Sequence, residues 1–438
     1  MSANGLPRVL IYLGLMLLPV IIVTIHRVPP PDLFLYNLGR CFALTGFAVM
    51  VLQVVLAARV KWVERPFGLN LTFPFHRRMG VFAALLLLTH PFLMVLGGGG
   101  WKLLLGDNTW YIWVGRVALV FLLVNVSLSV WRIPLGLTFE KWRLGHDISG
   151  PAILVLGFVH SQYASVDFSL VSMQVLWAAF LALAVVLFGH HRFYTPWALR
   201  QAPYRVVDVR QEAKDVWTLK FAPPPGKARF DFLPGQFQFV TLLRGRGLPE
   251  EEHHFTISSS PLDTGFHTST IKASGDFTAT IGQTRPGDLA VIQAPFGRFS
   301  YLFHPEAQDL VFIAGGIGIT PLMSNLRHLR DVQAQKRVLL IYANKTEDDI
   351  VFREELAQLE AGSRPEVKVI HILSRAGEAW KGEGGRLDRA KIKALCGERL
   401  GTGLFFLCSP PAMTENLYRI LRGLGVPDAR ISFEYFSL

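Results

Sequence analysis

Four histidines fall into two pairs with one spacing: His76 and His90 are fourteen residues apart, and so are His146 and His160. On an α-helix fourteen residues rise roughly 21 Å and return to within about 40° of the starting face. Both members of a pair therefore leave their helix in one direction, one toward each end of a membrane-length segment. If the two helices run the same way, His76 meets His146 at one depth and His90 meets His160 at another. Two imidazoles opposed at one depth are the axial ligand set of a six-coordinate haem. A single histidine in an apolar segment is more often a hydrogen-bonded packing residue. Ionisable groups inside membrane segments nevertheless mark function, and packing alone does not demand the same spacing twice. His26, His190 and His191 have no counterpart at such a spacing and read as interfacial residues.

A bundle must position these rings. Six apolar segments, residues 9–25, 41–60, 79–96, 110–130, 148–162 and 170–188, are long enough to cross about 30 Å of hydrocarbon. The fifth is short and interrupted by Pro151. The histidines then belong to the third and fifth helices, which run in the same direction. Loops on the side of the first residue carry Arg8, Arg59, Lys61, Arg65, Arg77, Arg78, Arg132, Lys141, Arg143, Arg192 and Arg200, against Arg27, Arg40 and Lys102 opposite. That bias places both termini and the downstream half in the cytoplasm, beneath a plasma or inner membrane. The first segment follows Arg8 but lacks a small-x-small cleavage pattern, so it reads as a retained helix.

The formal net charge of +11 lies largely on segment flanks rather than on one soluble face, which argues against a nucleic-acid binder. Cys41, Cys396 and Cys408 imply no disulfide framework, and the lack of C-x-x-C-H excludes covalent c-type attachment. The haems expected here are two b-type groups. Arg40 opens the second helix and Arg116 lies one or two turns into the fourth, both toward the outer face. They are candidates to meet haem propionates or the acceptor, or else to snorkel toward headgroups.

After Arg200 the pattern changes to short alternating strands at residues 204–209, 216–221, 236–242, 255–258 and 268–273. Turns such as Leu233-Pro234-Gly235 separate them, as in a small barrel. From Asp309 strands at 310–314, 337–342, 367–373 and 404–407 alternate with helical patterns, which argues for a parallel α/β sheet. A flavin site needs an aromatic over its ring, hydroxyls at its polar edge and a glycine-opened helix start for the pyrophosphate. The segments His253-His254-Phe255-Thr256-Ile257-Ser258, Lys272-Ala273-Ser274-Gly275-Asp276-Phe277-Thr278 and Ala294-Pro295-Phe296-Gly297 supply these in order. Gly315-Gly316-Ile317-Gly318-Ile319-Thr320-Pro321 follows an apolar strand and opens a helix, which suits a dinucleotide phosphate. Lys345, and Ser374 with Arg375, follow later strand ends and could hold a ribose 2′-phosphate, favouring NADPH over NADH.

Over nearly its whole length the chain resembles the ferric reductase and NADPH oxidase superfamily. Residues 253–256 resemble its His-Pro-Phe-Thr flavin motif with His254 in place of proline, and residues 315–321 match its nicotinamide-phosphate loop. Cys408-Ser409-Pro410-Pro411 resembles its Cys-Gly-Pro-Pro turn with Ser409 in place of glycine. The resemblance implies that Cys408 lies near the nicotinamide C4 and that a C-terminal aromatic covers the flavin. Phe436 is the choice for that cover, with Tyr435 and Phe433 as neighbours. Cys408, Phe436, Thr256 and Arg40 are the residues expected to act in catalysis.

The fold class expected is a multidomain membrane protein: a six-helix transmembrane haem-binding bundle (1–200), an FAD-binding β-barrel (201–304) and a Rossmann-like α/β NAD(P)H-binding domain (305–438). The expected function is NADPH oxidase-type electron transfer. It runs from cytoplasmic NADPH through FAD to the inner and then the outer haem, and to extracellular O2 as superoxide. The short outer loops show no evident iron ligands, which favours oxygen, whereas both 14-residue spacings resemble those of many ferric reductases. Ferric-chelate reduction by the same path, or electron donation to a partner protein, are the alternatives. The lipid membrane, NADPH and the acceptor are the expected partners, with no obligatory protein partner.

Overall fold

The computed structural model describes residues 5–26 and 33–434. Two compact units emerge, Met1–Thr195 and Pro196–Leu438. The first is helical: α1 (Leu6–Ile25), α2 (Phe34–Ala57), α3 (Leu69–Met94), α4 (Trp110–Val130), α5 (Phe139–Ala164) and α6 (Val171–Gly189). Among the described residues five helices have the length and apolarity of membrane spans, and α5 does not. It has 26 residues, as many as α3, but it carries Glu140, Lys141, Arg143 and Asp147 in its first turns. Asp147 pairs with Arg192 at 2.9 Å, an arrangement that satisfies charge near a helix end. Thr138 caps α5 by accepting from the Lys141 amide, and the helix runs through Pro151 without ending. Both histidine-bearing helices start earlier than their apolar runs, so His76 and His146 lie inside α3 and α5.

Between apolar helices in lipid there is little hydrophobic drive, and close packing through small residues takes its place. On α2, a Cβ at Gly39 would lie 3.0 Å from the His90 carbonyl oxygen, and one at Gly46 would lie 2.7 Å from Leu87. Those two glycines bring α2 hard against α3. A separate core joins α1, α2, α5 and α6 around fully buried Trp177, whose ring stacks on Phe47 at 5.1 Å. Its indole N–H donates to Ser161 on α5 at 2.9 Å.

The second unit holds two sheets. The first is antiparallel, in the order β4-β3-β6-β1-β2-β5, with β1 (Tyr204–Ala213), β2 (Val216–Ala222), β3 (Phe237–Leu243), β4 (Glu252–Thr256), β5 (His267–Lys272) and β6 (Leu289–Phe296). Its outer strands approach one another where the Ser258 amide donates to the Thr268 carbonyl at 2.8 Å, which curls the sheet toward a barrel. The second sheet is parallel, in the order β10-β9-β8-β7-β11-β12, with β7 (Asp309–Gly315), β8 (Arg337–Asn344), β9 (Glu366–Leu373), β10 (Glu383–Gly384), β11 (Leu404–Cys408) and β12 (Ile431–Glu434). The order reverses at β7, so ligands are expected beyond the carboxyl ends of β7 and β11.

Helix α7 (Ile319–Asp331) joins the two sheets. Ser324 donates to the Ser259 carbonyl at 2.8 Å and accepts from the Gly235 amide at 3.2 Å. Asn325 accepts from the Tyr301 amide at 3.2 Å. Arg327 donates to the Ser258 carbonyl at 2.6 Å while holding Glu355 at 2.6 Å. The helix that opens at the glycine loop is thus tied directly to the segment that follows β4.

Candidate haem and flavin–nicotinamide sites

The helices bring the four histidines together in the expected combination. His76 and His146 have ring centroids 6.2 Å apart, and His90 and His160 are 6.4 Å apart. A metal bound about 2 Å from each imidazole nitrogen, itself roughly 1.1 Å from its ring centre, requires about 6.2 Å. Both pairs fit a metal between them. The Nδ1 atoms of His76 and His160 lie 3.2 Å and 2.8 Å from the carbonyls of Gln53 and Tyr111. Donation to a carbonyl leaves Nε2 bare, the form that binds metal. Gly80 and Gly150 follow His76 and His146 by one turn, and a Cβ at either would meet no atom within 4 Å. Beside the inner pair the backbone is therefore open at these two positions. These residues fit two b-type haems.

Sequence reasoning missed Gly115 and Asp167. A Cβ at Gly115 would fall 2.5 Å from Nδ1 of His160, so the glycine lets that ring lie against the α4 backbone. Nothing in one sequence distinguishes it from other helix glycines. Asp167, fully buried on the turn after α5, takes Arg40 in a two-pronged ion pair, with Nε to Oδ2 at 2.8 Å, and accepts from Ser165 at 2.7 Å. An acid in a short connection between apolar segments was a readable signal. Arg40 thus meets a carboxylate of its own chain at about the depth of His90. Arg116 points back to the carbonyls of Lys102, Leu103 and Gly106 at 2.9 Å each. Replacing Asp167 with alanine leaves Arg40 buried without its partner and is expected to cost about 3–5 kcal/mol. A fall in thermal stability, measured in detergent and relieved by Arg40→Met, checks this.

In the second unit β4 alternates its faces. His253 stacks on Phe277 at 4.1 Å, whereas His254 faces Phe237 and Phe239 at about 6 Å. Phe277 is fully buried within the barrel core, where it anchors the turn it was expected to offer to a cofactor. That turn is closed by Thr278, whose hydroxyl accepts from the Ser274 and Gly275 amides at 2.9 and 2.8 Å, and Asp276 accepts from the Phe277 amide. Lys272 lies 3.8 Å from Asp349. Thr256, Ile257 and Ser258 are buried.

The glycine loop and the Cys-Ser-Pro-Pro turn, some ninety residues apart in sequence, pack together. A Cβ on Gly315 would lie 2.7 Å from Ser409, and one on Gly318 would overlap the Cys408 carbonyl. Gly316 has φ +55°, a left-handed backbone that glycine adopts at no steric cost. Thr320 and Pro321 are buried at the start of α7. Lys345 and Arg375 are neighbours, since the Arg375 amide donates to the Lys345 carbonyl at 2.8 Å, and Ser374 bonds likewise to Asn344. Cys408 ends β11 between Ala314 and Glu434. Burial above all pushes its thiol well above the usual range, so it stays a neutral thiol rather than a thiolate. Burial likewise lifts the Glu434 carboxyl to about 8. Glu434 was not foreseen; its carboxyl lies beside Gly297 at the end of the barrel. Phe436 and Tyr435 lie outside the described residues, and Phe433 packs on Tyr418 at 5.7 Å.

Comparison with known proteins matches residues 42–157 to the ferric reductase like transmembrane component and residues 312–418 to the oxidoreductase NAD-binding domain. The nitrate reductase (NADPH) of Emericella nidulans is 29% identical over 171 residues, which is 36% of this chain and 20% of that protein. Cytochrome b5 reductase 4 of Rattus norvegicus is 31% identical over 164 residues, 37% of this chain and 31% of that one. The chain therefore spans less than a third of these two curated relatives. Among solved structures, a flavohemoglobin from Malassezia yamatoensis overlays 83% of this chain and 98% of its own at TM-score 0.50 and 20% identity, a likeness of fold.

Proposed function

We propose that this chain, a ferric reductase-type membrane component joined to an NAD-binding oxidoreductase domain as in the ferric reductase and NADPH oxidase superfamily, is an NAD(P)H-dependent oxidoreductase that carries electrons across a membrane to oxygen. The observation that carries the reading is the pair of histidine couples at 6.2 and 6.4 Å. His76 with His146, and His90 with His160, hold the inner and outer haems. The segments at 253–258 and 272–278 hold FAD, and the loop at 315–321 holds the nicotinamide dinucleotide. When bound, the flavin divides a two-electron hydride into single electrons and the haems conduct them through the apolar layer. The protein's own part is to position and to tune. Cys408 and Glu434, both neutral at the crevice, leave no fixed charge against a nicotinamide ring. Lys345 and Arg375 supply cations for a 2′-phosphate, which selects NADPH over NADH. The arginine and lysine bias of the loops sets the reductase unit and both termini in the cytoplasm.

Asp167 supports a second reading, ferric-chelate reduction, because it neutralises the cation that would draw superoxide chemistry to Arg40. Purified protein oxidising NADPH in the presence of cytochrome c distinguishes the two. Reporter reduction abolished by superoxide dismutase is the expected result. Dismutase-insensitive reduction with rapid reduction of a ferric chelate would overturn the oxygen assignment.

A further inference from the structure

A line of hydroxyls runs through the barrel and ends on a carboxylate. Thr218 on β2 donates its hydroxyl to Glu212 at 2.6 Å. Thr218 and Thr270 oxygens are 2.8 Å apart, Thr270 and Ser258 3.0 Å, and Ser258 and Thr268 2.9 Å. The direction of this line is fixed by counting hydrogens. An ionised carboxylate only accepts, and each hydroxyl has one hydrogen to give. Thr218 gives its hydrogen to Glu212, so Thr270 must give to Thr218, Ser258 to Thr270 and Thr268 to Ser258. Every O–H points toward Glu212. Thr218 and Thr270 face each other across β2 and β5, and such threonine pairs are common in sheets. Here the pair is extended at one end by the serine that follows β4 and at the other by an acid. Thr218, Thr270 and Ser258 are buried from water. Glu212, its side chain 11% exposed, also accepts from Arg210 at 2.7 Å, whose side chain is 62% exposed, so the line ends beside a solvated cation.

We propose that this line carries away the proton left behind when a nicotinamide hydride is divided into single electrons; it rests on the function proposed above and adds a route to it. The balance requires such a route: NAD(P)H yields NAD(P)+, two electrons for the one-electron carriers and one proton. That proton is released within the flavin segment, where Ser258 lies. It bonds to the Thr268 oxygen as the Thr268 hydrogen passes to Ser258. The displacement continues through Thr270 and Thr218 until Glu212 is protonated and discharges to water. Chains of polarised hydroxyls are cooperative, and a single terminal base gives this one a direction.

The test uses the full-length, flavin-loaded protein, with nicotinamide as reductant, ferricyanide as a soluble one-electron oxidant and a pH-indicator dye to follow the proton. Thr270→Val keeps the shape and removes the relay oxygen. Hydride transfer and nucleotide affinity should stay unchanged, while proton release and flavin reoxidation slow about tenfold or more with an altered solvent deuterium isotope effect. Thr270→Ser should restore both. Thr218→Val should reproduce the defect, and Glu212→Gln should abolish a carboxyl infrared signal that accompanies flavin reoxidation. Wild-type proton release and isotope effect in both valine variants would overturn the route, as would equal slowing of hydride transfer. Because ferricyanide bypasses the membrane unit, a wild-type protein that releases protons normally but never reduces haem would refute the haem reading and leave this route standing.

Discussion

Gly115→Ala is expected to remove one of two haems per chain. The added methyl group would fall 2.5 Å from Nδ1 and 2.6 Å from Cε1 of His160, separations that no packed side chain tolerates. The ring must swing, and in doing so it leaves the Tyr111 carbonyl that fixes it at 2.8 Å. Alanine improves helix propensity by about 1 kcal/mol, but overpacking costs about 1–3 kcal/mol and the lost hydrogen bond about 1 more. The net loss of stability is about 1–3 kcal/mol, too little to unfold the bundle. The functional change is large, because His160 no longer opposes His90 at ligand distance. Haem per protein, measured as the pyridine complex, should fall from two to one, and a redox titration should lose one component. Replacing His90 or His160 with alanine should give the same count while nicotinamide still bleaches the flavin. Gly14→Ala, where a Cβ meets nothing within 4 Å, is the control. Two intact haems in Gly115→Ala would refute the geometry.

Acidification should loosen the barrel well before it unfolds an average domain. His267 is buried among Phe221, Tyr204 and Phe230, with ring centroids 5.3, 5.3 and 4.9 Å away. Neither ring nitrogen has a hydrogen-bond partner among the described residues. Burial, reinforced by the nearby Arg229 cation, pulls its pKa from 6.5 down to about 3. In the unfolded chain the ring accepts a proton below pH 6.5, and in the folded chain it cannot until about 3. Stability is therefore whole above 6.5 and drains away as the pH falls through this window. The loss is roughly 3 kcal/mol between pH 7 and pH 4. Hydrogen exchange of β5 peptides should accelerate over that range, and His267→Phe, which matches its aromatic surroundings, should flatten the dependence. A wild-type curve already flat from pH 7 to pH 4 would contradict the assignment.

What the sequence disclosed was whatever depends on spacing along one element. The fourteen-residue intervals survive because helix geometry converts spacing into direction. The glycine loop survives because a strand, a tight turn and a helix must follow in immediate order. Contacts between distant segments were not legible. Arg40 was singled out, yet its partner lies 127 residues away, and Asp167 has nothing nearby in sequence to announce it. Phe277 sits in a motif and still belongs to the barrel core, because the turn needs an apolar anchor more than an extra ring. Hydropathy undervalued α5, whose Arg143 and Asp147 are matched by ion pairs and whose Thr138 cap gives it a start nine residues before its apolar run. Strands β6 and β12 went unassigned because neither shows a clean alternation, and only their neighbours in the sheet define them.

The ties that α7 makes to the barrel carry a consequence for turnover. Ser324, Asn325 and Arg327 contribute several hydrogen bonds to buried backbone, each worth about 1 kcal/mol, so parting the two sheets would break all of them together. An enzyme built this way does not open and close around its coenzyme like a hinged clamp. The placement of the barrel against the parallel sheet is set once, when the chain folds. Mutations that loosen this seam should therefore change how fast hydride moves rather than how tightly the nucleotide binds.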